Sequence, residues 1–245
     1  MGNGSSKGND LVARLSAAFE RDAWINLHRY PVKIRAVDGR VALEGTLENV
    51  AAKRRALALA HQIVGDGGLI DDHLRRDPKE RMGDRQLRNE VVQRLATESV
   101  FARYTLGSHT GDKFEVVHDG GPDSYQMEVW VDAGAVTLNG VVESLSHRRL
   151  AESLAWWAHG CETVDNQLAI TPPQEDADDE ITDAVRIVLE KDPAVHAEQL
   201  RVGTAAAVVH LDGLVATTAE RQAAVLDAWS VEGVWNVVDR IEVRA

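Results

Sequence analysis

Apolar and polar positions along the 245 residues run through the same succession three times. Behind Asp10, placed as a helix N-cap, Leu11, Leu15, Ala18 and Phe19 recur at helical spacing. The same spacing returns from Asp84 in Leu87, Val91, Val92, Leu95 and Ala96, and from Asp179 in Ile181, Ala184, Val185, Val188 and Leu189. After each helix the period drops to two, which marks half-buried strands joined by a tight turn. The first hairpin runs over 32–37 and 40–45 with Asp38-Gly39 as its turn, and the second over 127–131 and 135–140 with Asp132-Ala133-Gly134 as its turn. The third, over 200–202 and 207–213, is the least regular, with Gly203 and small alanines around its turn.

A second helix follows each hairpin in fixed register. Lys53, Arg148 and Arg221 lie eight positions after Gly45, Gly140 and Gly213, and His61, Trp156 and Trp229 lie sixteen after. Final strands over 69–74, 163–170 and 235–243 close the three copies. The pattern predicts an α+β protein of three tandem modules, each helix, two-stranded hairpin, helix and strand (αββαβ). Each should be a three-stranded sheet covered by two helices on one face, with the other face partly open. The returning helix makes the last strand parallel to the second, with strand order left open. The module boundaries are 10–76, 84–171 and 178–245, and the middle module carries an insertion near 105–124. Within it, Lys113-Phe114-Glu115-Val116-Val117 is expected to add a strand, and Gly120-Gly121-Pro122-Asp123 to force a turn.

Val136-Thr137-Leu138-Asn139-Gly140 and Val164-Asp165-Asn166-Gln167-Leu168 resemble the motifs of the BON domain of bacterial osmotic-shock and membrane-associated proteins. The third copy matches through Gly213, Glu232-Gly233-Val234-Trp235-Asn236-Val237 and Asp239-Arg240-Ile241. The first departs by carrying Gly65-Asp66-Gly67-Gly68 where a simple Gly-Val is usual. The resemblance implies a stress-associated binding protein and contact with phospholipid or another envelope component.

Charge divides the copies. The formal total of −12 is spread as about +3 over 1–82, about −6 over 83–172 and about −9 over 173–245. Such acidity argues against nucleic-acid binding and directs any anionic partner to the N-terminal module. The single Cys161 excludes an internal disulfide and fits a reducing compartment. The polar start, without an apolar core segment, reads as a cytoplasmic protein without a signal peptide, although Met1-Gly2-Asn3-Gly4-Ser5-Ser6 fits the loose myristoylation pattern. Linkers at 76–81 and 171–176 are short, and the Pro172-Pro173 pair stiffens the second, so the modules are expected to contact one another.

No catalytic motif is present, and a catalytic pair needs a positioned base and an oxyanion donor, neither of which the short His159-Gly160-Cys161 run establishes. Nine scattered histidines have no ligand spacing, so no metal site or cofactor is expected; a bound monovalent cation such as potassium is the one small ligand kept open. The acidic run 175–180 precedes a helix and should complement its dipole. Gly45, Gly140 and Gly213 are read as structural anchors inside strands. Arg54, Arg55, Arg148 and Arg149 are candidates for anionic headgroups or for an interface, with a solvated helix face as the plainer role. Adjacent residues point different ways on a helix, so Trp156 takes the shared structural position and Trp157 is the interface candidate. Two functions compete: a non-enzymatic cytoplasmic scaffold or small-ion and solute binder whose partners are other proteins or its own modules, and a protein of the envelope that binds anionic phospholipid.

Overall fold

A computed structural model of the chain describes residues 3–37, 40–65, 68–111 and 113–244. The chain divides into two compact units, 1–77 and 78–245. The proposed Asp38-Gly39 turn, Asp66-Gly67 and Met1-Gly2 lie outside the described residues.

The first unit runs α1 (Asn3–Arg21), β1 (Val32–Val37), β2 (Arg40–Leu47), α2 (Val50–Val64) and β3 (Leu69–Arg76). β2 is central, antiparallel to β1 and parallel to β3. Leu15, Phe19, Val41, Leu43, Ala56, Ala60 and Leu74 form the core between sheet and helices. Asp10 does not cap: α1 begins seven residues earlier, in a polar stretch without apolar period. His61 is exposed, whereas the indoles at its register positions, Trp156 and Trp229, are buried.

The second unit holds two modules. The middle one comprises α3 (Asp84–Thr97), β4 (Tyr104–Thr110), β5 (Lys113–His118), β6 (Tyr125–Asp132), β7 (Ala135–Val142), α4 (Leu145–Trp157) and β8 (Thr163–Ile170). Where the sequence marked one added strand there are two, giving a five-stranded sheet in the order β5-β4-β6-β7-β8. β4 escaped the sequence reading because its buried positions include Gly107 and Ser108, which break the apolar alternation. Phe114 and the Glu115 carbonyl close over Gly107 so tightly that a Cβ there would lie 2.5 Å from the ring and 2.6 Å from the oxygen. The third module returns to the basic pattern with α5 (Asp178–Lys191), β9 (Leu200–Ala205), β10 (Val208–Val215), α6 (Thr218–Ser230) and β11 (Asn236–Val243), in the order β11-β10-β9.

Repeated devices fix each module. Asn49, Ser144 and Thr217, each four positions after its glycine, cap α2, α4 and α6 by accepting the N–H of Ala52, His147 and Glu220. The residue eight positions after the glycine ties that helix to the last strand: Lys53 to Asp72, Arg148 to the Asn166 carbonyl at 3.2 Å, and Arg221 to Asp239 at 2.8 Å. The same Asp or Asn side chains accept the N–H of Leu74, Leu168 and Ile241 two residues on. This explains physically why an Asp or Asn stands two residues before the buried Leu or Ile.

The glycines themselves sit against the neighbouring strand. Gly140 has φ 125°, and a Cβ on it would run into the Gln126 carbonyl. Gly213 meets the Gln199 carbonyl in the same way, and a Cβ on Gly45 would come within 2.8 Å of the Pro31 carbonyl. No helix among the described residues is long and apolar enough to cross a membrane.

Candidate functional site

The second and third modules meet along their helices, with α4 packed against α5 and α6. Arg149 lies at the centre, only 1% exposed. Its Nη2 donates to both oxygens of Asp176 at 2.7 and 2.8 Å and its Nε to the Glu232 carbonyl at 2.9 Å. A buried guanidinium is tolerable only with such partners, since an uncompensated one costs several kcal/mol. Arg148 adds a bond to Glu232 Oε1 at 3.0 Å. Gly233, at φ 92°, lets the loop approach: a Cβ there would lie 3.0 Å from Arg149 Nη2. Deeper in the seam the Ser230 hydroxyl donates to Ser153 at 2.8 Å, and at its rim Lys191 pairs with Glu98 at 2.6 Å.

Trp157 Nε1 donates to Asp227 Oδ1 at 3.0 Å across the same seam. Asp227 is buried, and burial pushes its carboxyl up to about 9, aided by the nearby Asp192 carboxylate, which also hydrogen-bonds it; the Trp157 bond opposes the rise. Asp227 is therefore a neutral acid at pH 7.

The sheet faces turned away from the helices carry different chemistry in each module. On the first, Lys33, Arg35 and Arg40 are exposed beside Glu44 and Asp71. On the middle one, cross-strand neighbours Phe114, His109 and Trp130 form an aromatic row, with the His109 ring stacked on Trp130 at 3.6 Å and 12°. Trp130 is 38% exposed. His109 Nε2 shares a 2.9 Å hydrogen bond with Glu128 of the same face.

Comparison with known proteins places these modules. Residues 8–77, 113–172 and 177–245 each match the BON domain. The chain belongs to the BON domain family. BON domains are associated with stress-related and phospholipid-binding proteins, and no enzymatic family is indicated. Two solved structures align along most of the chain. CdsD, a structural protein of the type III secretion system of Chlamydia trachomatis, is 14% identical over 96% of this chain and 92% of its own, with a TM-score of 0.25. The C-terminal domain of the same protein is 13% identical over 96% and 98%, also with a TM-score of 0.25. No curated protein sequence matches the chain significantly.

The match to the middle BON module starts at 113, inside its added strands. Among the residues singled out from sequence, Arg148, Arg149 and Trp157 come together at the seam between the second and third BON modules. A solvated helix face or headgroup contact does not describe Arg149, whose guanidinium is enclosed by Asp176 and the Glu232 carbonyl. Arg55 pairs with Asp22 at 2.7 Å within the first BON module, and Arg54 is half-buried on α2. In the acidic run, Asp176 serves Arg149, and Asp178 accepts the N–H groups of Ala206 and Ala207 at the turn of the third hairpin. His159 bonds Glu90 at 2.9 Å, while the buried Cys161 thiol points to the Thr163 carbonyl. Among the described residues no group of three or more His, Cys, Asp or Glu is arranged to hold a metal ion.

Sequence reasoning missed Asp227, Ser153, Ser230 and the His109–Trp130 stack. Only Trp130 left a signal, as an indole in the polar phase of the Met127, Val129, Val131 alternation.

Proposed function

We propose that the chain is a non-enzymatic, stress-associated binding and scaffolding protein whose second and third BON modules act as one body toward other proteins. The seam supports this reading. Arg149, Ser153, Trp157, Asp227 and Ser230 are spent on joining the two modules, which leaves sheet faces and strand edges as the surfaces for partners. A cytoplasmic setting agrees with the lone buried Cys161.

A second reading, contact with an anionic phospholipid surface, is favoured by the exposed Lys33, Arg35 and Arg40 on the first module's sheet. Co-sedimentation with phosphatidylglycerol vesicles at low and moderate salt tests the two against each other. On the scaffold reading the chain stays in the supernatant and migrates in stoichiometric protein complexes isolated at physiological salt. Pelleting that is lost in a Lys33→Glu, Arg35→Glu variant, with no protein complex found, overturns it. A thermal-shift screen over K⁺, Na⁺ and Ca²⁺ tests small-ion binding, since a ligand of the native state raises the midpoint.

A further inference from the structure

The open face of the middle sheet holds an exposed aromatic, Trp130, among acids and amides. Strand register defines it. Trp130 on β6 pairs with Thr137 on β7, which pairs with Asp165 on β8. One pleat further, Glu128 pairs with Asn139 and Asn139 with Gln167. Gln126 and the exposed Asp132 occupy the remaining positions of β6 on this face. On the other side of Trp130 stand His109, Phe114 and Val116. Every second residue of the strands therefore falls on this face, and none of those positions is Lys or Arg.

The acids here are not neutralised by Lys or Arg. Glu128 is held by Gln126 Nε2 at 2.6 Å and by His109, and Asp165 by Gln167 Nε2 at 2.6 Å. His109 covers one face of the Trp130 indole and fixes the ring in place. The carboxylates on either side of Trp130 along β6, those of Glu128 and Asp132, lie at the spacing of alternate residues on one strand. An indole with carboxylates around it attracts a cation twice, by its ring quadrupole and by charge, and it favours the planar guanidinium, which stacks on rings and bonds carboxylates in pairs.

We propose that this face docks a basic protein segment, with an arginine or lysine side chain laid on Trp130 and bonded to Glu128. The proposal rests on the scaffold reading and supplies the chemistry of one partner. Charge complementarity selects the occupant, because a face that carries carboxylates and no Lys or Arg repels an anionic surface and attracts a basic one.

The test uses the full chain and a fluorescently labelled peptide of alternating arginine and glycine, followed by anisotropy. Saturable binding is expected that weakens between 50 and 300 mM salt, while the same peptide with glutamine for arginine does not bind. Trp130→Ala should weaken binding about fivefold or more and Glu128→Gln about threefold, with Trp130→Phe intermediate. Glu175→Gln, which removes the same charge from the exposed linker, should leave binding unchanged. An unaltered circular dichroism spectrum and thermal midpoint show that the variants are folded. Equal binding by Trp130→Ala, equal binding by the glutamine peptide, absence of saturation, or Trp130-dependent binding of a neutral oligosaccharide instead overturns the proposal. Each of those outcomes leaves the scaffold reading standing, because that reading is decided by vesicles and isolated complexes, not by this peptide.

Discussion

Trp157 on α4 and Asp227 on α6 join two modules through an indole N–H that donates to a buried carboxyl group at 3.0 Å. That carboxyl is pushed from an ordinary 3.8 up to about 9, chiefly by burial and secondly by Asp192. The folded state thus holds a proton there that the unfolded chain releases near pH 4. Stability from this group is fully present below pH 4 and is lost as pH rises through about 9. The thermal midpoint of the unit 78–245, followed by calorimetry, should fall between pH 7 and pH 9.5. Asp227→Asn, which stays neutral, should flatten that decline. An unchanged slope in the variant would assign the pH dependence to other groups.

Arg149 makes a second, independent test of the seam. Replacing it by Ala leaves a void and takes one donor from the Glu232 carbonyl, while the released Asp176 is half exposed and can be hydrated. The cost should be about 2–4 kcal/mol, and Arg149→Met, which keeps most of the volume, should recover part of it. Asp176→Ala should cost more than an exposed acid normally does, since it strips the partner from a buried charge. Hydrogen exchange should locate the loss in α4, α5 and the 231–234 loop.

The modules were readable in the chain because each level of structure repeats the same instruction. Period 3.6 gives way to period 2, a glycine stands where two backbones approach, and an Asp or Asn precedes a buried Leu or Ile by two residues. The seam was only partly readable: Arg148, Arg149 and Trp157 stood out as interface candidates, but their partners did not. Arg149 bonds a carbonyl 83 residues away and a linker carboxylate, neither of which has any periodic relation to it. The indole of Trp157 is chemically the same as that of Trp156, and only the helix geometry separates the one that enters its own core from the one that reaches Asp227. The added strands were half readable: β5 is visibly β-branched, whereas β4 buries Gly107 and Ser108 and looks like loop.

Strand glycines can be sorted by their surroundings. Gly140→Ala places a methyl group against the Gln126 carbonyl at a backbone φ of 125°, so it should destabilise the middle module by about 3 kcal/mol or more. Gly203 is also a strand glycine, but nothing lies within 4 Å of its missing Cβ. Gly203→Ala should therefore change stability by less than about 1 kcal/mol in either direction. Chemical denaturation of the two variants separates a glycine needed for close approach from one that is only permitted.

The tight turns supply the last prediction. Ala133-Gly134 and Ala206-Ala207 all have positive φ, and in each pair both N–H groups donate to one carboxylate from the start of the module's first helix, Asp84 or Asp178. Holding alanine in the left-handed region costs roughly 1 kcal/mol per residue. The Asp178 bonds, at 2.7 and 2.8 Å, offset that strain. Asp178→Ala should consequently cost about 1–2 kcal/mol, and Asp178→Asn less, because the amide oxygen still accepts one N–H. Ala207→Gly should stabilise the third module by about 0.5–1 kcal/mol by removing the strain, and it should soften the loss caused by Asp178→Ala. A double-mutant cycle measured by urea denaturation decides it. Strict additivity would mean that the carboxylate acts on the helix dipole alone and that the turn does not depend on it.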